Sequence, residues 1–254
     1  MKINTLRFAV PTLAAALAVG ALTLPTTPAH ADGPVVVELF TSEGCSSCPP
    51  ADALLSRYSR AASLAGVPVI ALGEHVDYWD GVSWRDPFSQ HKFSQRQETY
   101  ASALNARAGT PQVVVDGHQI HDGGSASEDR DAVAQAARAP KAQVGLTAAG
   151  RTLSVSVSHV PSTAGRGPVD VLLAVTEDGL SSQVRGGENQ GRRLDHGAVV
   201  RRLSLLGTVT NGVFTAAPTV ALDPSWQRGH LHAVVFVQAR DSHRIVGAAQ
   251  VGLG

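Results

Sequence analysis

The feature that most constrains this chain is a pair of cysteines, Cys45 and Cys48, spaced C-x-x-C after an apolar run at residues 35–40. The run is rich in β-branched valine, which is typical of a buried strand. Turn-forming residues follow it, and Pro49 and Pro50 stand where a helix can begin. At the N-terminal end of a helix, backbone N–H groups and the helix dipole favour a thiolate over a thiol. This order of residues therefore predicts a thiol–disulfide redox site.

These two are the only cysteines in the 254 residues. In the chain-entropy picture, a disulfide that closes a four-residue loop stabilises a fold by about 2 kcal/mol, against roughly 4–5 kcal/mol for a loop of about a hundred residues. A purely structural disulfide here would contribute little. A redox role or a metal-binding role is therefore the favoured interpretation of the pair.

The first 31 residues have the three parts of a secretory signal peptide. Lys2 and Arg7 supply a positive start, residues 8–24 are apolar, and residues 29–31 form an A-x-A cleavage site. A membrane anchor is disfavoured because Pro11 interrupts the apolar run and no cysteine follows the cleavage site to take a lipid. We expect an exported protein without a membrane span after cleavage, in the periplasm or secreted, where disulfides persist.

Charge divides the remaining chain into two parts. Residues 32–140 carry 8 lysines and arginines against 14 acidic residues, a net charge of −6, whereas residues 141–254 carry 11 against 7, a net charge of +4. Opposite signs indicate two domains that attract each other. Neither part has the dense basic face that nucleic-acid binding needs.

The first part alternates strands and helices. Apolar spacing predicts a helix from Asp52 to Ala65 and a parallel second strand from Val67 to Leu72. Further on, Asp86 is predicted to cap a helix that runs to about Arg107. A strand at 113–115, a hairpin turn at Asp116-Gly117 and a return strand at 118–121 are expected to follow. The last predicted element is a helix that Ser125 caps and that runs to about Ala139. We therefore predict an α/β domain over residues 32–140.

Residues 141–254 show no helical period. Apolar alternation and short apolar runs predict strands at 151–159, 169–176, 199–209, 213–220, 231–238 and 245–251. Turns containing Gly, Pro and Asn-Gly separate them. This pattern predicts an antiparallel β-sandwich, with the domain boundary near Pro140.

Several longer motifs resemble one family, the secreted bacterial thioredoxin-like proteins known as domain of unknown function 1223 (DUF1223). The motifs are residues 38–42, 44–52, 75–80, 84–88, 94–97, 110–112 and 114–117, followed by 188–201 in the second part. The resemblance spans nearly the whole chain after the signal peptide. It implies a periplasmic protein with an α/β thioredoxin-like domain, carrying an inserted helix, and a β-rich C-terminal part. It also implies that Pro111 is cis and lies against the cysteine pair.

In the redox interpretation, Cys45 is the nucleophile and faces solvent, and Cys48 is the resolving thiol. Thr110 and Pro111 are expected to present backbone groups to an extended substrate. His75, Asp77 and Trp79 follow the second strand, at the edge where α/β folds bind ligands, so we predict that they line the cleft or move protons. The alternative for the tryptophans is that they pack the inserted helix onto the sheet.

Histidines elsewhere are less informative. His196 stands in a polar stretch and either contacts the first domain or a ligand, or lies exposed in a loop. Four other histidines lie at strand or hairpin positions without metal-ligand spacing and are interpreted as surface residues: His118, His121, His230 and His232.

Three functions remain open at this point. The first is an exported thiol–disulfide oxidoreductase that needs no cofactor and acts on protein or small-molecule thiols and disulfides. The second is a soft-metal protein, for instance a copper(I) carrier, in which His75 joins both thiolates. The third is a non-catalytic module that recognises partners. The chain has no methionine after Met1, which disfavours the copper interpretation.

Overall fold

A computed structural model describes residues 1–2 and 33–254. The predicted signal peptide, residues 1–31, therefore lies almost wholly outside the described residues. Across the described ranges, no helix is both long enough and apolar enough to span a membrane.

Three helices and fourteen strands make up the described part of the chain. The helices are α1 (Pro49–Ala61), α2 (His91–Ala103) and α3 (Ala126–Ala136). The strands are β1 (Val35–Thr41), β2 (Ser63–Leu64), β3 (Val67–His75), β4 (Gln112–Val115), β5 (Gln119–Asp122), β6 (Gln143–Ala149), β7 (Thr152–Ser158), β8 (Val169–Glu177), β9 (Leu180–Gln183), β10 (Arg193–His196), β11 (Val199–Thr208), β12 (Phe214–Ala216), β13 (Leu231–Ala239) and β14 (Ile245–Gly252).

One nine-stranded mixed sheet runs through both parts of the chain. Its strand order is β14-β13-β8-β11-β3-β1-β4-β5, with β2 paired to the side of β3. β1 and β3 are parallel, as predicted. The junction between the two parts is the pairing of β11 with β3, where Val199 lies opposite Gly73 and the Gly73 N–H donates to the Ala198 carbonyl at 2.8 Å.

Alternation along β1 sends side chains to two different cores. Val35, Val37 and Leu39 face the core covered by α1 and α3. Val36 faces the opposite core, which contains Phe93 of α2 and continues into strands of the second part through side chains such as Val200. The second core is therefore shared between residues before and after position 140.

Two smaller sheets complete the second part. β12, β7 and β6 form a three-stranded antiparallel sheet, and β10 and β9 form a two-stranded ribbon. Leu153, Val155 and Val157 of β7 pack in a third core with side chains of β8 and β13, such as Val171 and Val235.

The predicted fold class is wrong. A thioredoxin-like α/β domain followed by a separate β-sandwich was expected, but the chain is mostly β-sheet and its largest sheet takes strands from both parts. Alternating apolar residues predict that β8, β11, β13 and β14 are strands, but they do not identify the strand with which each one pairs. In the structure β11 pairs with β3, and β8, β13 and β14 follow β11 in the sheet. The proposed division at residue 140 remains a prediction, and a buried ion pair between Lys141 and Asp116 lies directly beside it.

Local predictions fared better than the global one. The Asp116-Gly117 hairpin turn is confirmed, with positive φ angles of 46° and 67°. Ser125 caps α3 as predicted, its hydroxyl accepting from the Glu128 N–H at 3.4 Å. The helix expected to begin at Asp86 instead begins at His91, although the Asp86 carboxylate still accepts from the Phe88 N–H at 2.9 Å.

Candidate functional site

The cysteine pair lies at the start of α1. Cys45 and Cys48 form a disulfide whose Cα atoms are 5.5 Å apart. Cys48 is the N-cap residue, and Pro49 and Pro50 open the helix. Both cysteines have 0% exposed surface, so the expectation that Cys45 faces solvent is wrong. The neighbouring Ser46 and Ser47 are exposed instead.

A segment from the second part of the chain lies over the disulfide, which explains the burial. This segment, residues 184–192, joins β9 to β10 and is named the covering loop. The Asn189 side-chain amide donates to the carbonyls of Glu43 and Cys45 at 2.9 and 2.8 Å. Glu188 Oε2 accepts from the Ser46 N–H at 3.1 Å and from the Ser46 hydroxyl at 2.6 Å. The covering loop is therefore hydrogen-bonded to residues on both sides of Cys45, namely Glu43 and Ser46.

The covering loop closes on itself and packs tightly. The Val184 N–H donates to the Arg192 carbonyl at 2.9 Å, and the Gly191 N–H donates back to the Val184 carbonyl at 2.9 Å. At Gly186, a Cβ atom would collide with the Ser83 carbonyl oxygen, so only glycine fits there. The loop is therefore a preformed element and not a loosely placed strand connection.

Trp79 links the cysteine loop to the segment before β4. Its indole N–H donates to the Thr110 hydroxyl at 2.7 Å. A Cβ atom at Gly44, next to Cys45, would lie 3.1 Å from the Trp79 Cβ. The predicted residues Trp79 and Thr110 are thus brought together at the rim of the disulfide, and the Trp79 ring is partly exposed.

Pro111 lies against the first turn of α1. The Thr110–Pro111 peptide bond is cis, as the resemblance implied. A Cβ atom at Gly123 would lie 2.8 Å from the Pro111 Cβ and 3.1 Å from the Ala51 Cβ. Pro111 and the helix that follows Cys48 therefore approach each other across a glycine.

Behind the disulfide lies a set of buried ionisable side chains, which we name the disulfide-side cluster: Glu43, Asp52, His75, Asp86 and His196. His75 Nδ1 and Asp86 Oδ2 are 2.7 Å apart, and the same carboxylate accepts from the Glu43 N–H at 2.8 Å. His196 Nε2 and Glu43 Oε1 are 3.0 Å apart. The rings of His75 and His196 meet edge to face at 4.9 Å. His196 thus contacts the first part of the chain, one of the two expectations for it.

For His75 and Asp86, their mutual pairing affects the pKa more than burial does. Burial by itself lowers the pKa of His75, but the charge of Asp86 and the hydrogen bond to it raise that pKa overall. Burial alone raises the pKa of Asp86, yet His75 and the N–H groups of Glu43 and Phe88 lower it overall. The two shifts favour a charged His75–Asp86 pair. Asp52 differs because burial raises its pKa, and the nearby His196 and His75 only partly oppose this.

Asp77 lies in a different environment from the disulfide-side cluster. Its carboxylate accepts from the Ser94 hydroxyl at 2.5 Å and lies 3.0 Å from His91 Nδ1. The hydrogen bond from Ser94 lowers the pKa of Asp77. It lines an open surface depression with Asp80 and Arg85. The structure therefore brings His75, Trp79, Thr110 and Pro111 near the cysteine loop and directs Asp77 toward α2.

Sequence reasoning assigned no role to four polar side chains in and around the cysteine loop, namely Glu43, Asp52, Glu188 and Asn189. Glu188 and Asn189 stood in a motif that resembled the family, which was the available signal. Within residues 1–2 and 33–254, no group of three or more His, Cys, Asp and Glu side chains is arranged to hold a metal ion.

Comparison with solved structures shows the same fold elsewhere. An X-ray structure of a protein from Agrobacterium tumefaciens is 25% identical, with a TM-score of 0.71, and covers 89% of this chain and 97% of its own. HBP35 of Porphyromonas gingivalis is 18% identical, with a TM-score of 0.62, over 87% of this chain and 75% of its own. Comparison with curated proteins finds no match. The sequence profile of the family described as protein of unknown function (DUF1223) matches residues 36–238, and the chain belongs to that family.

Proposed function

We propose that this protein is a thiol–disulfide oxidoreductase in which Cys45 is the nucleophile and Cys48 the resolving thiol. The observation that carries the proposal is the disulfide between the chain's only two cysteines at the start of α1. A ring this short stabilises a fold by about 2 kcal/mol, so stability alone is a weak reason for it. Several buried polar groups are nevertheless organised around it.

The reaction balances as a dithiol–disulfide exchange. The Cys45 thiolate attacks one sulfur of a substrate disulfide, forming a mixed disulfide and releasing the first substrate thiolate, which takes a proton from water. The Cys48 thiol loses its proton and attacks the Cys45 sulfur, which expels the second substrate thiolate. The substrate gains two electrons as two thiols, and the protein is oxidised to the Cys45–Cys48 disulfide. A thiol donor of lower reduction potential reduces the Cys45–Cys48 disulfide and returns the protein to its dithiol form.

Asp52 is the best-placed group for the Cys48 proton. It lies one turn along α1, where its N–H donates to the Cys48 carbonyl at 3.1 Å. Burial raises the pKa of its carboxyl, and a carboxyl with a raised pKa exchanges protons closer to neutral pH. His75 supports it from the disulfide-side cluster, and Asp77 has no part in this step.

Substrate access requires the covering loop to move, because both cysteines are fully buried. Trp79 lies beside the loop that holds Cys45, and the Thr110 hydroxyl accepts a hydrogen bond from the Trp79 indole. We propose that Trp79, Thr110 and Pro111 form the surface on which a protein or small-molecule disulfide lies. The site would act in the periplasm or outside the cell, as residues 1–31 predict, where such disulfides persist.

The test is a redox titration of the purified protein in glutathione buffers, with both thiols scored by alkylation and mass. We expect a reversible two-electron transition. Cys48→Ser should accumulate a mixed disulfide between Cys45 and glutathione, whereas Cys45→Ser in the folded protein should not form a stable one.

Two outcomes would overturn the proposal. One is the absence of a reversible transition together with tight copper(I) binding by the reduced protein, which would make it a metal carrier. The other is a Cys48→Ser variant that forms no mixed disulfide when folded but does so in denaturant.

A further inference from the structure

The carboxylate of Glu188 occupies the hydrogen-bond donors next to Cys45. Glu188 Oε2 accepts from the Ser46 N–H at 3.1 Å and from the Ser46 hydroxyl at 2.6 Å. These hydrogen bonds lower the pKa of Glu188, so the group is charged at neutral pH. A thiolate on Cys45 would need donors of this kind.

The start of α1 offers few other donors. The first backbone positions of a helix normally present free N–H groups, but Pro49 and Pro50 have none. The Cys48 N–H donates to the Cys45 carbonyl at 3.3 Å, and the Ala51 N–H donates to the Cys48 carbonyl at 2.9 Å. The Ser47 hydroxyl lies 3.4 Å from the Cys45 sulfur.

The charged groups around the pair are mostly acidic. Glu43 comes from the cysteine loop, Asp52 from α1 and Glu188 from the covering loop. Glu43 is bonded to His196, and His75 is neutralised by Asp86. The guanidinium of Arg192 on the covering loop donates to the side-chain oxygen Oδ1 of Asn189 at 2.7 Å. Over the described residues, no Lys or Arg side chain donates to Cys45 or Ser46.

We propose that Glu188 is a positioning residue that shifts the dithiol–disulfide equilibrium of Cys45 and Cys48 toward the disulfide. The protein therefore donates electrons to substrate disulfides and does not oxidise substrate thiols. The inference rests on the proposed function and assigns its direction. Reduction of the Cys45–Cys48 disulfide takes up two electrons and two protons, and a stabilised thiolate in the product favours it. A carboxylate on the Ser46 donors opposes that thiolate by charge and by competition for hydrogen bonds.

The first measurement is the equilibrium of the protein with reduced and oxidised dithiothreitol, quenched with acid and scored by alkylation. Glu188→Gln should shift the equilibrium about tenfold toward the dithiol, which corresponds to ~30 mV in reduction potential. The alkylation rate of reduced Cys45, followed against pH, should reach its half-maximum at lower pH in this variant. Glu98→Gln, which removes the same charge from an exposed position on α2, is the matched control and should change neither.

A second variant separates the effect of the Glu188 charge from the effect of access to Cys45. Asn189→Ala removes the two hydrogen bonds that hold the covering loop on the cysteine loop and leaves Glu188 in place. We expect it to raise the plateau alkylation rate at high pH while leaving the half-maximal pH as in the wild type. Thermal unfolding of each variant checks that the fold is retained.

The two proposals fail in different ways. If Glu188→Gln has the wild-type equilibrium and the wild-type pH profile while the protein still exchanges disulfides with glutathione, the role of Glu188 is overturned and the oxidoreductase stands. If the variant shifts as expected but Cys48→Ser traps no mixed disulfide, Glu188 does tune the pair and the oxidoreductase proposal is overturned.

Discussion

Two consecutive residues of β3, Glu74 and His75, lie in two buried polar clusters on opposite faces of the sheet. His75 belongs to the disulfide-side cluster, where it pairs with Asp86. Glu74 belongs to a second set, named the α2 cluster: Glu38, Glu74, Arg96, Tyr100 and Gln238. Both clusters join the two parts of the chain, through His196 in the first and Gln238 in the second. They differ in how their charges are balanced.

The α2 cluster has one cation for two carboxylates. Arg96 Nε donates to Glu38 Oε1 at 2.7 Å, and the Tyr100 hydroxyl donates to Glu38 Oε2 at 2.7 Å. Arg96 Nη1 also donates to Gln238 Oε1 at 3.1 Å. Glu74 lies 3.5 Å from Arg96 and has no hydrogen-bond partner for either carboxylate oxygen. Burial, opposed by Arg96 and reinforced by Glu38, raises the pKa of Glu74 well above its ordinary value.

The comparison shows that equal burial produces opposite outcomes on one strand. The pKa of His75 is raised because Asp86 is its own partner. The pKa of Glu74 is raised because burial and the nearby Glu38 outweigh the opposing charge of Arg96. In the disulfide-side cluster two histidines face three carboxylates, and His75 pairs with Asp86 while His196 pairs with Glu43. The α2 cluster lies on the opposite face of the sheet and joins the two parts of the chain through Gln238.

The largest effect is expected from Arg96→Met, which breaks the α2 cluster by leaving two buried carboxylates without a cation. The free energy of unfolding should fall by roughly 3–5 kcal/mol, measured by urea denaturation at neutral pH. Arg85→Met is the matched control, because the Arg85–Asp80 pair is exposed and is expected to contribute about 0–1 kcal/mol. A loss in Arg96→Met no greater than in the control would show that the α2 cluster does not hold the two parts together.

A smaller loss is expected from His75→Phe, which keeps a ring in the disulfide-side cluster but removes the partner of Asp86. The variant should lose about 1–3 kcal/mol at pH below the ordinary histidine value. The folded-state pKa of His75 lies above its ordinary value of 6.5. Its stabilising contribution is therefore complete below pH 6.5 and is lost as the pH rises through the folded pKa.

The pH profile of unfolding checks this second prediction. His75→Phe should flatten the decline that the wild type shows above pH 6.5. His91→Phe, at the exposed pair with Asp77, is the control and should follow the wild type. A His75→Phe profile that keeps the wild-type decline would mean that the His75–Asp86 pair is not charged in the folded protein.

The smallest effect, and one of opposite sign, is expected from Glu74→Gln. Because the folded-state pKa of Glu74 is raised, the contribution of Glu74 to stability is greatest below its ordinary value of 4.5 and falls as the pH rises through the folded pKa. Removing the carboxyl should therefore stabilise the protein by about 1 kcal/mol at alkaline pH, measured by urea denaturation. Glu98→Gln serves again as the control. Destabilisation by Glu74→Gln would contradict the conclusion that the charge on Glu74, unlike that on His75, is disfavoured in the folded protein.

Local sequence signals were reliable where neighbours in the chain decide the structure. The parallel pair β1 and β3, the turn at Asp116-Gly117 and the cap at Ser125 were all predicted, because each depends on a few consecutive residues. The strands β2, β6, β9 and β10 were not predicted. β2 lies within a predicted helix, β9 and β10 have four residues each, and β6 mixes apolar with polar residues. Asp86 was expected to cap a helix, and its carboxylate does accept from the Phe88 N–H. It is also held by His75 and the Glu43 N–H, contacts that no local pattern reveals.

The sequence by itself determined a great deal about the chemistry of this protein: a C-x-x-C pair at the start of a helix, two prolines that remove N–H donors there, and membership of a family. Only the tertiary structure decided that both sulfurs are buried, that Glu188 and Asn189 reach Ser46 and Cys45 from more than 140 positions away, and that one sheet joins both parts of the chain. Spacing along a chain records which groups are neighbours in sequence. Which strand edge and which loop meet in space depends on long-range pairing and burial, which no short segment encodes.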